Sequence, residues 1–267
     1  MSYHTFFGLK RQPFAADLSL EAVLKTEDLL EVQQRVLYTI ELGAIALVTG
    51  EVGAGKSTAL RWVAGQLHPS KYKPLWLTAT SGSILEVYRQ LLAELDIQTA
   101  SSSRAILTGL IRTQILNLVQ SKKQQPLLII DEASLLRLDV FAELHTLTQF
   151  EGDSKPYLPM ILAGQNNLAD NLLYRTAVPL TSRIVARSHL QEVNRDGMER
   201  YLAHHLKIAG LKHSPFDDQA VTAIHQGSGG LFRKANHLAR GALVAATDEK
   251  SQVVNAEHVR LASTELF

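Results

Sequence analysis

Apolar residues along this chain follow two alternating patterns. Short continuous runs read as strands buried on both faces: Ala44-Ile45-Ala46-Leu47-Val48-Thr49, Leu127-Leu128-Ile129-Ile130 and Pro159-Met160-Ile161-Leu162-Ala163-Gly164. Lys73-Pro74-Leu75-Trp76-Leu77-Thr78 reads as a further strand. The segments between them repeat apolar residues every three or four positions, as amphipathic helices do. Leu29, Leu30, Val32, Val36 and Leu37 predict a helix over Glu27–Leu42. Leu85, Tyr88, Leu91, Leu92 and Leu95 share one face of a helix over Ile84–Leu95, with Ser83 as its N-cap. Further helices are predicted over Ser57–Val63, from Ser101-Ser102-Ser103 through Val119, and over Val140–Phe150. Strands alternating with helices predict an α/β fold, a parallel sheet with helices on both faces. Beyond Leu190 the pattern turns all-helical, at Asp196–Ile208, Asp217–His225, Gly230–Ala246 and Ala256–Leu266. The chain is thus read as a lead-in over 1–40, an α/β core over 41–190 and a small helical domain over 191–267. Phe6, Phe7 and Phe14 of the lead-in are expected to dock on the core.

The junction after the first strand carries chemistry. Gly50-Glu51-Val52-Gly53-Ala54-Gly55-Lys56-Ser57 fits Gly-x-x-x-x-Gly-Lys-[Ser/Thr], with a strand before it and a helix after it. Glycines let backbone N–H groups close around anionic oxygens, and the helix N-terminus adds partial positive charge. This predicts a nucleotide triphosphate site formed by Gly50, Glu51, Val52, Gly53, Ala54, Gly55, Lys56, Ser57 and Thr58. Lys56 is expected on the β- and γ-phosphates of ATP and Ser57 on Mg²⁺.

A second signal lies about 75 residues on. The run Leu127–Ile130 ends in Asp131-Glu132, which predicts a magnesium-holding Asp131 and a Glu132 that polarises the attacking water. After the next strand, Gln165 is the choice for a polar group near the γ-phosphate, with Asn166 in reserve. Phosphoryl transfer also gains from a cation on the developing charge. Arg183 is the favoured candidate for such a finger, acting across a subunit boundary, with Arg175 and Arg187 competing. Arg233 opens a C-terminal helix from which it could reach the phosphates.

Composition narrows the rest. Of 267 residues, 46% are hydrophobic and 20% charged, an ordinary globular balance. Cysteine is absent, which excludes disulfides and thiolate metal sites and fits a reducing cytoplasm. No apolar run approaches a membrane span, and no signal peptide is evident at the N-terminus, so a cytoplasmic location is expected. The histidines show no metal-ligand spacing. Net charge is +1, from 27 basic and 26 acidic residues, but the basic residues cluster locally at Lys71 and Lys73, at Lys122 and Lys123, and at Arg175, Arg183 and Arg187.

These motifs, in this order, resemble the AAA+ ATPases. Tyr3-x-x-Phe6-Phe7-Gly8-Leu9-x-x-x-Pro13-Phe14 is similar to the N-terminal signature of their ExeA-like branch, and Gly229-Gly230-Leu231-Phe232-Arg233-Lys234-Ala235-Asn236 resembles its sensor-2 segment. The resemblance implies a P-loop AAA+ parallel sheet with an all-helical C-terminal lid. It gives Lys56, Ser57, Asp131 and Glu132 the Walker roles, Gln165 sensor 1, Arg183 the finger and Arg233 sensor 2. Gln165 departs from the Asn or Thr that is commoner at sensor 1.

The branch contains secretion ATPases with a transmembrane helix and a peptidoglycan-binding region, and transposon-encoded regulators of the TnsC, TniB, IstB and MuB type. Length and the lack of an apolar span lead to the expectation of the second group. That group implies a homo-oligomer, ring or filament, assembled on the duplex DNA backbone and recruiting a transposase. The hydroxyl-rich loop Thr78–Ser83 and the cluster Ser101–Arg104 nominate Thr80, Ser81, Ser83, Arg89 and Arg104 as phosphate contacts. The alternative is an ATPase of a secretion or envelope-assembly pathway.

Overall fold

A computed structural model describes residues 2–264. In chain order its helices are α1 (Tyr3–Phe7), α2 (Glu27–Leu42), α3 (Lys56–Gln66), α4 (Ile84–Glu94), α5 (Arg104–Leu116), α6 (Leu138–Leu147), α7 (Asn167–Asn171), α8 (Val178–Thr181), α9 (Arg195–Ile208), α10 (Asp218–Ser228), α11 (Phe232–Asp248) and α12 (Ala256–Thr264). The strands are β1 (Ile45–Gly50), β2 (Tyr72–Thr78), β3 (Gln125–Asp131), β4 (Met160–Gly164) and β5 (Ile184–Leu190). They form one parallel sheet in the order β2-β3-β4-β1-β5.

The chain separates into two compact units. One comprises Thr26–Gly50 and Lys56–Leu190 and holds the sheet. Its central strands β1, β3 and β4 are buried along almost their whole length, as their unbroken apolar runs require. Leu47, Leu128, Ile130 and Leu162 share a core with Leu91, Ile111, Phe141 and Leu144 from α4, α5 and α6. One sheet edge is occupied by side chains. On β2 the outward N–H groups of Trp76 and Thr78 donate to Glu94 Oε2 at 2.9 Å and Gln90 Oε1 at 3.2 Å, which occupies the bonds a foreign strand would need. The other edge, β5, alternates buried Ala186, Ser188 and Leu190 with exposed Val185, Arg187 and His189.

The second unit comprises the described residues of Met1–Lys25, Glu51–Gly55 and Gln191–Phe267. Helices α9 to α12 close around Leu202, Leu206, Ile224, Leu238 and Leu243. The expected lead-in over 1–40 therefore divides. Its helix α2 belongs with the sheet, whereas residues 1–25 belong with the C-terminal helices. Phe14 explains the second part. Its side chain, 2% exposed, stacks on His205 with ring centroids 5.5 Å apart and lies against Phe216. Two hydrogen bonds seal the arm: Lys10 N–H donates to the Ala209 carbonyl at 2.8 Å, and the His204 side chain meets the Ala22 carbonyl through Nε2 at 2.7 Å. Phe7 and Phe14 pack within the helical unit's own core.

Several boundaries differ from the sequence reading for local reasons. The helix expected through Val119 ends as an α-helix at Leu116 and continues as a π-turn over Asn117–Ser121. The helix expected over Val140–Phe150 starts at Leu138 and stops at Leu147, and Phe150 turns into the core beside Tyr157. The last helix is described to Thr264, so the expected extension to Leu266 lies outside the described residues.

Candidate functional site

The carboxyl ends of the parallel strands carry the predicted motifs, the place where open α/β sheets bind ligands. Strand β1 runs into the glycine-rich segment and α3 leaves it. Gly53 and Gly55 take φ of +91° and +100°, a region open to glycine and hostile to other residues. A Cβ on Gly53 would also lie 2.9 Å from the Arg233 Cβ. Lys56 opens α3, is 6% exposed, and donates from Nζ to the Gly50 carbonyl at 2.8 Å. Ser57 and Thr58, in the first turn of the same helix, are exposed. The residue set fits a polyphosphate: positive-φ glycines, an ammonium held in the loop and a hydroxyl at a helix N-terminus.

Asp131 ends β3, two strands from β1, with β4 between them. At about 4.8 Å per strand, that offset opens a gap of about 10 Å between the two tips. Both Asp131 and Glu132 are half-buried. Glu132 is left-handed at φ +54°, and its N–H donates to Asp131 Oδ1 at 2.9 Å. A non-glycine residue in that region stores backbone strain. Here it turns the chain sharply at the strand's end into the short 3₁₀ helix Ala133–Leu135.

The tip of β4 faces that turn. Gln165, half-buried, directly follows the strand, and its N–H donates to Ser134 Oγ at 3.4 Å. Asn171 Nδ2 donates to the Ser134 carbonyl at 3.4 Å. The approach is so close that a Cβ on Gly164 would sit 2.8 Å from the Ser134 amide nitrogen. Ser134 thus ties the acidic turn to the Gln165 tip, a role that sequence reading missed. Its only signal was a hydroxyl two residues past the acidic pair. Thr49 is a second such residue, its Oγ1 lying 3.0 Å from His189 Nδ1 and joining the tips of β1 and β5.

Of the four arginines, Arg175, Arg183 and Arg187 fall elsewhere. Arg183 precedes β5, whose first residue pairs with Ile45 at the start of β1, whereas Gly50 at the far end pairs with Leu190. Arg183 is thus about 17 Å, five strand residues, from the glycine-rich end of its own chain. It is bound to the Asp153 carboxylate and donates from Nε to His145 Nδ1 at 3.2 Å. The Arg183 hydrogen bond holds Asp153 below the usual carboxylate range, and burial together with Arg183 pushes His145 down. Arg175 is exposed, and Arg187 lines a shallow groove on β5 with Tyr38 and Val185. Within the helical unit, Arg233 is exposed, its N–H donates to the Gly53 carbonyl at 3.3 Å, and the neighbouring Phe232 ring lies 3.5 Å from a Cβ built on Gly55.

The nominated phosphate contacts are partly engaged by acids. Thr80 Oγ1 donates to Glu86 Oε2 at 2.7 Å, and Arg104 donates to Glu143 at 3.0 Å. Ser83 occupies the N-cap position of α4 without a side-chain capping bond. Ser81 and Arg89 are exposed. Among the described residues no group of three or more His, Cys, Asp and Glu could hold a metal ion by itself, and no helix is long and apolar enough to cross a membrane.

Comparison with known proteins agrees with this fold. Residues 40–172 match the AAA domain family. Over 267 residues the chain is 29% identical to General secretion pathway protein A of Aeromonas hydrophila, a match that covers 99% of this chain. It spans about half (48%) of that relative's length. Among solved structures, Cdc6p from Pyrobaculum aerophilum superposes with a TM-score of 0.73 at 16% identity, covering 95% of this chain and 70% of that one. The Aeropyrum pernix ORC1 protein in complex with DNA gives 0.69 at 18%, covering 95% and 68%. The Thermotoga maritima RuvB Holliday junction branch migration motor gives 0.62 at 17%, covering 95% and 73%. At such identities the structural likeness speaks for the fold alone. Five parallel strands with helices around them, a glycine-rich loop after β1 and a matched AAA domain give this chain the fold of the AAA+ P-loop ATPases.

Proposed function

We propose that this chain is an ATP-dependent, DNA-binding AAA+ regulator of transposition, which oligomerises on duplex DNA, recruits or activates a transposase and uses ATP hydrolysis to control assembly. The observation that supports the enzymatic part is that β1 leads into the loop before Lys56 and Ser57 at the start of α3, while Asp131 and Glu132 stand at the same end of β3, two strands away. Magnesium-bound ATP, when present, supplies the transferable γ-phosphoryl group. In this reading Gly50–Thr58 hold the phosphates, and Ser57 and Asp131 hold the metal. Glu132 accepts a proton from the attacking water, and Gln165 orients that water from the neighbouring tip. Arg183, remote from its own phosphate loop, serves a neighbouring subunit, and Arg233 senses the bound nucleotide. The site is cytoplasmic.

A second reading, service in secretion or envelope assembly, is favoured by the likeness to General secretion pathway protein A along nearly the whole chain. Gel shifts with duplex DNA, with and without ATP and magnesium, separate the two. ATP-promoted, salt-sensitive binding supports the DNA regulator. ATP turnover with no DNA binding in any nucleotide state removes it and leaves the secretion reading.

A further inference from the structure

Two basic clusters that are far apart in sequence meet at one rim of the sheet. Strands β2 and β3 are parallel neighbours that start together, Tyr72 opposite Gln125. Lys71 and the pair Lys122-Lys123 stand just before those starts. The two turns are bonded to each other: Gln125 N–H donates to the Lys71 carbonyl at 2.7 Å, and Gln124 Nε2 donates to the Pro69 carbonyl at 2.9 Å. Each is also closed on itself. Lys71 and Tyr72 N–H donate to the His68 carbonyl at 2.9 and 3.0 Å, and Gln124 N–H donates to the Leu118 carbonyl at 3.0 Å. Lys123 is held at φ +56°, a left-handed conformation that lysine seldom adopts. Neighbouring strands lie about 4.8 Å apart, so these lysines rise from a small, backbone-fixed platform.

Their electrostatics are one-sided. Lys71, Lys122 and Lys123 are exposed, and none of the ion pairs among the described residues includes them. The neighbouring Lys73 is bound to Asp96 at 3.2 Å, so the nearby carboxylate is already taken. Exposed His68, with Ser70 bonded to its ring at 2.8 Å, completes the turn. Exposed lysines grouped in this way suit an extended polyanion, which can meet all three ammonium groups at once and release its counterions.

We propose that Lys71, Lys122 and Lys123 form a contact site for the phosphate backbone of duplex DNA. This rests on the DNA-binding reading above and adds to it a location that the hydroxyl-rich loop after β2 does not supply. Contact through lysine ammonium groups reads no base sequence. The site lies at the opposite end of β3 from Asp131, about 20 Å away along seven strand residues, so it takes no part in nucleotide chemistry.

The test uses the full chain with ATP and magnesium, and the anisotropy of a labelled random-sequence duplex across a salt series. Two triple variants are compared, K71Q/K122Q/K123Q and K71R/K122R/K123R. The glutamine variant is expected to bind about tenfold or more weakly at low salt, to lose about 2–3 from the log–log salt slope, and to keep its DNA-free ATP turnover. The arginine variant is expected to retain wild-type affinity and slope. Wild-type slope in the glutamine variant overturns the site while leaving the DNA-binding reading intact. Equal loss in both variants also overturns it, because charge would not be the cause. Failure of the wild-type protein to bind any duplex at low salt removes the reading and the site together.

Discussion

Lys56 folds back on its own loop, its Nζ donating to the Gly50 carbonyl at 2.8 Å from a position only 6% exposed. The ammonium is therefore held beside the strand end, and in the proposed site nucleotide binding would exchange this carbonyl for phosphate oxygens. A hydrogen bond to a charged group contributes about 1.5–3 kcal/mol. Lys56→Ala is expected to weaken ATP–magnesium binding by about 10- to 150-fold, measured by calorimetry or nucleotide-dependent thermal shift. Unchanged affinity would remove Lys56 from the phosphate site.

Glu132 shares its turn with Asp131 but not its expected task. A general base contributes about 10²–10⁴ in rate, whereas binding depends mainly on the loop and the metal ligand. Glu132→Gln is expected to lose turnover by that factor, keep nucleotide affinity within a few-fold and accumulate the ATP-bound assembly. Its backbone φ of +54° is the same for either side chain, so stability should stay close to wild type. Stopped turnover assays under saturating ATP give the answer, and wild-type turnover in the variant would rule Glu132 out as the base.

The placement of the motifs at strand ends is legible in the sequence because each motif is local. A glycine pattern between an apolar run and a helix, or an apolar run ending in Asp-Glu, needs no tertiary information. Strand β5 is harder to read from the sequence, although the burial of Ile184–Leu190 alternates with period two. Its outward positions hold Arg187 and His189, so it lacks the unbroken apolar run that marked β1, β3 and β4. The partner of Phe14 could not be read either, since an aromatic residue announces burial but not the surface that buries it. Ser134 escaped notice for a related reason. Its contact with Gln165 spans 31 residues and exists only once β3 and β4 are paired.

Arg183 stands at the opposite end of the β1–β5 pair from Gly50, too far to reach the proposed phosphate site of its own chain. If it completes a neighbour's site, defects should complement in mixed assemblies. Lys56→Ala and Arg183→Ala proteins are each expected to be inactive alone. Mixed in equal amounts, they are expected to regain turnover, because an Arg183→Ala subunit keeps its loop and borrows arginine from a Lys56→Ala neighbour. Titration of one variant into the other, followed by phosphate release, measures this. Absence of recovery would leave Arg183 as an ordinary partner of Asp153.

His205 makes the helical unit sensitive to acid. It is 4% exposed, stacked on Phe14 and 4.4 Å from the Tyr201 ring, with His204 adjacent. Burial first, and then the His204 charge, push its pKa down to about 4 from an ordinary 6.5. Burial likewise pushes the Tyr201 hydroxyl up to about 12, so that group stays neutral throughout the range. The folded state thus keeps His205 neutral while the unfolded chain protonates it, and protons favour unfolding. This contribution is fully present above about pH 6.5 and is lost as the pH falls toward 4. The loss is on the order of 3 kcal/mol. Comparison with His205→Leu isolates the effect from carboxylates that titrate lower. Between pH 7 and 4.5 the wild-type denaturation midpoint should fall more steeply than the variant's, and parallel curves would show that His205 is not the titrating group.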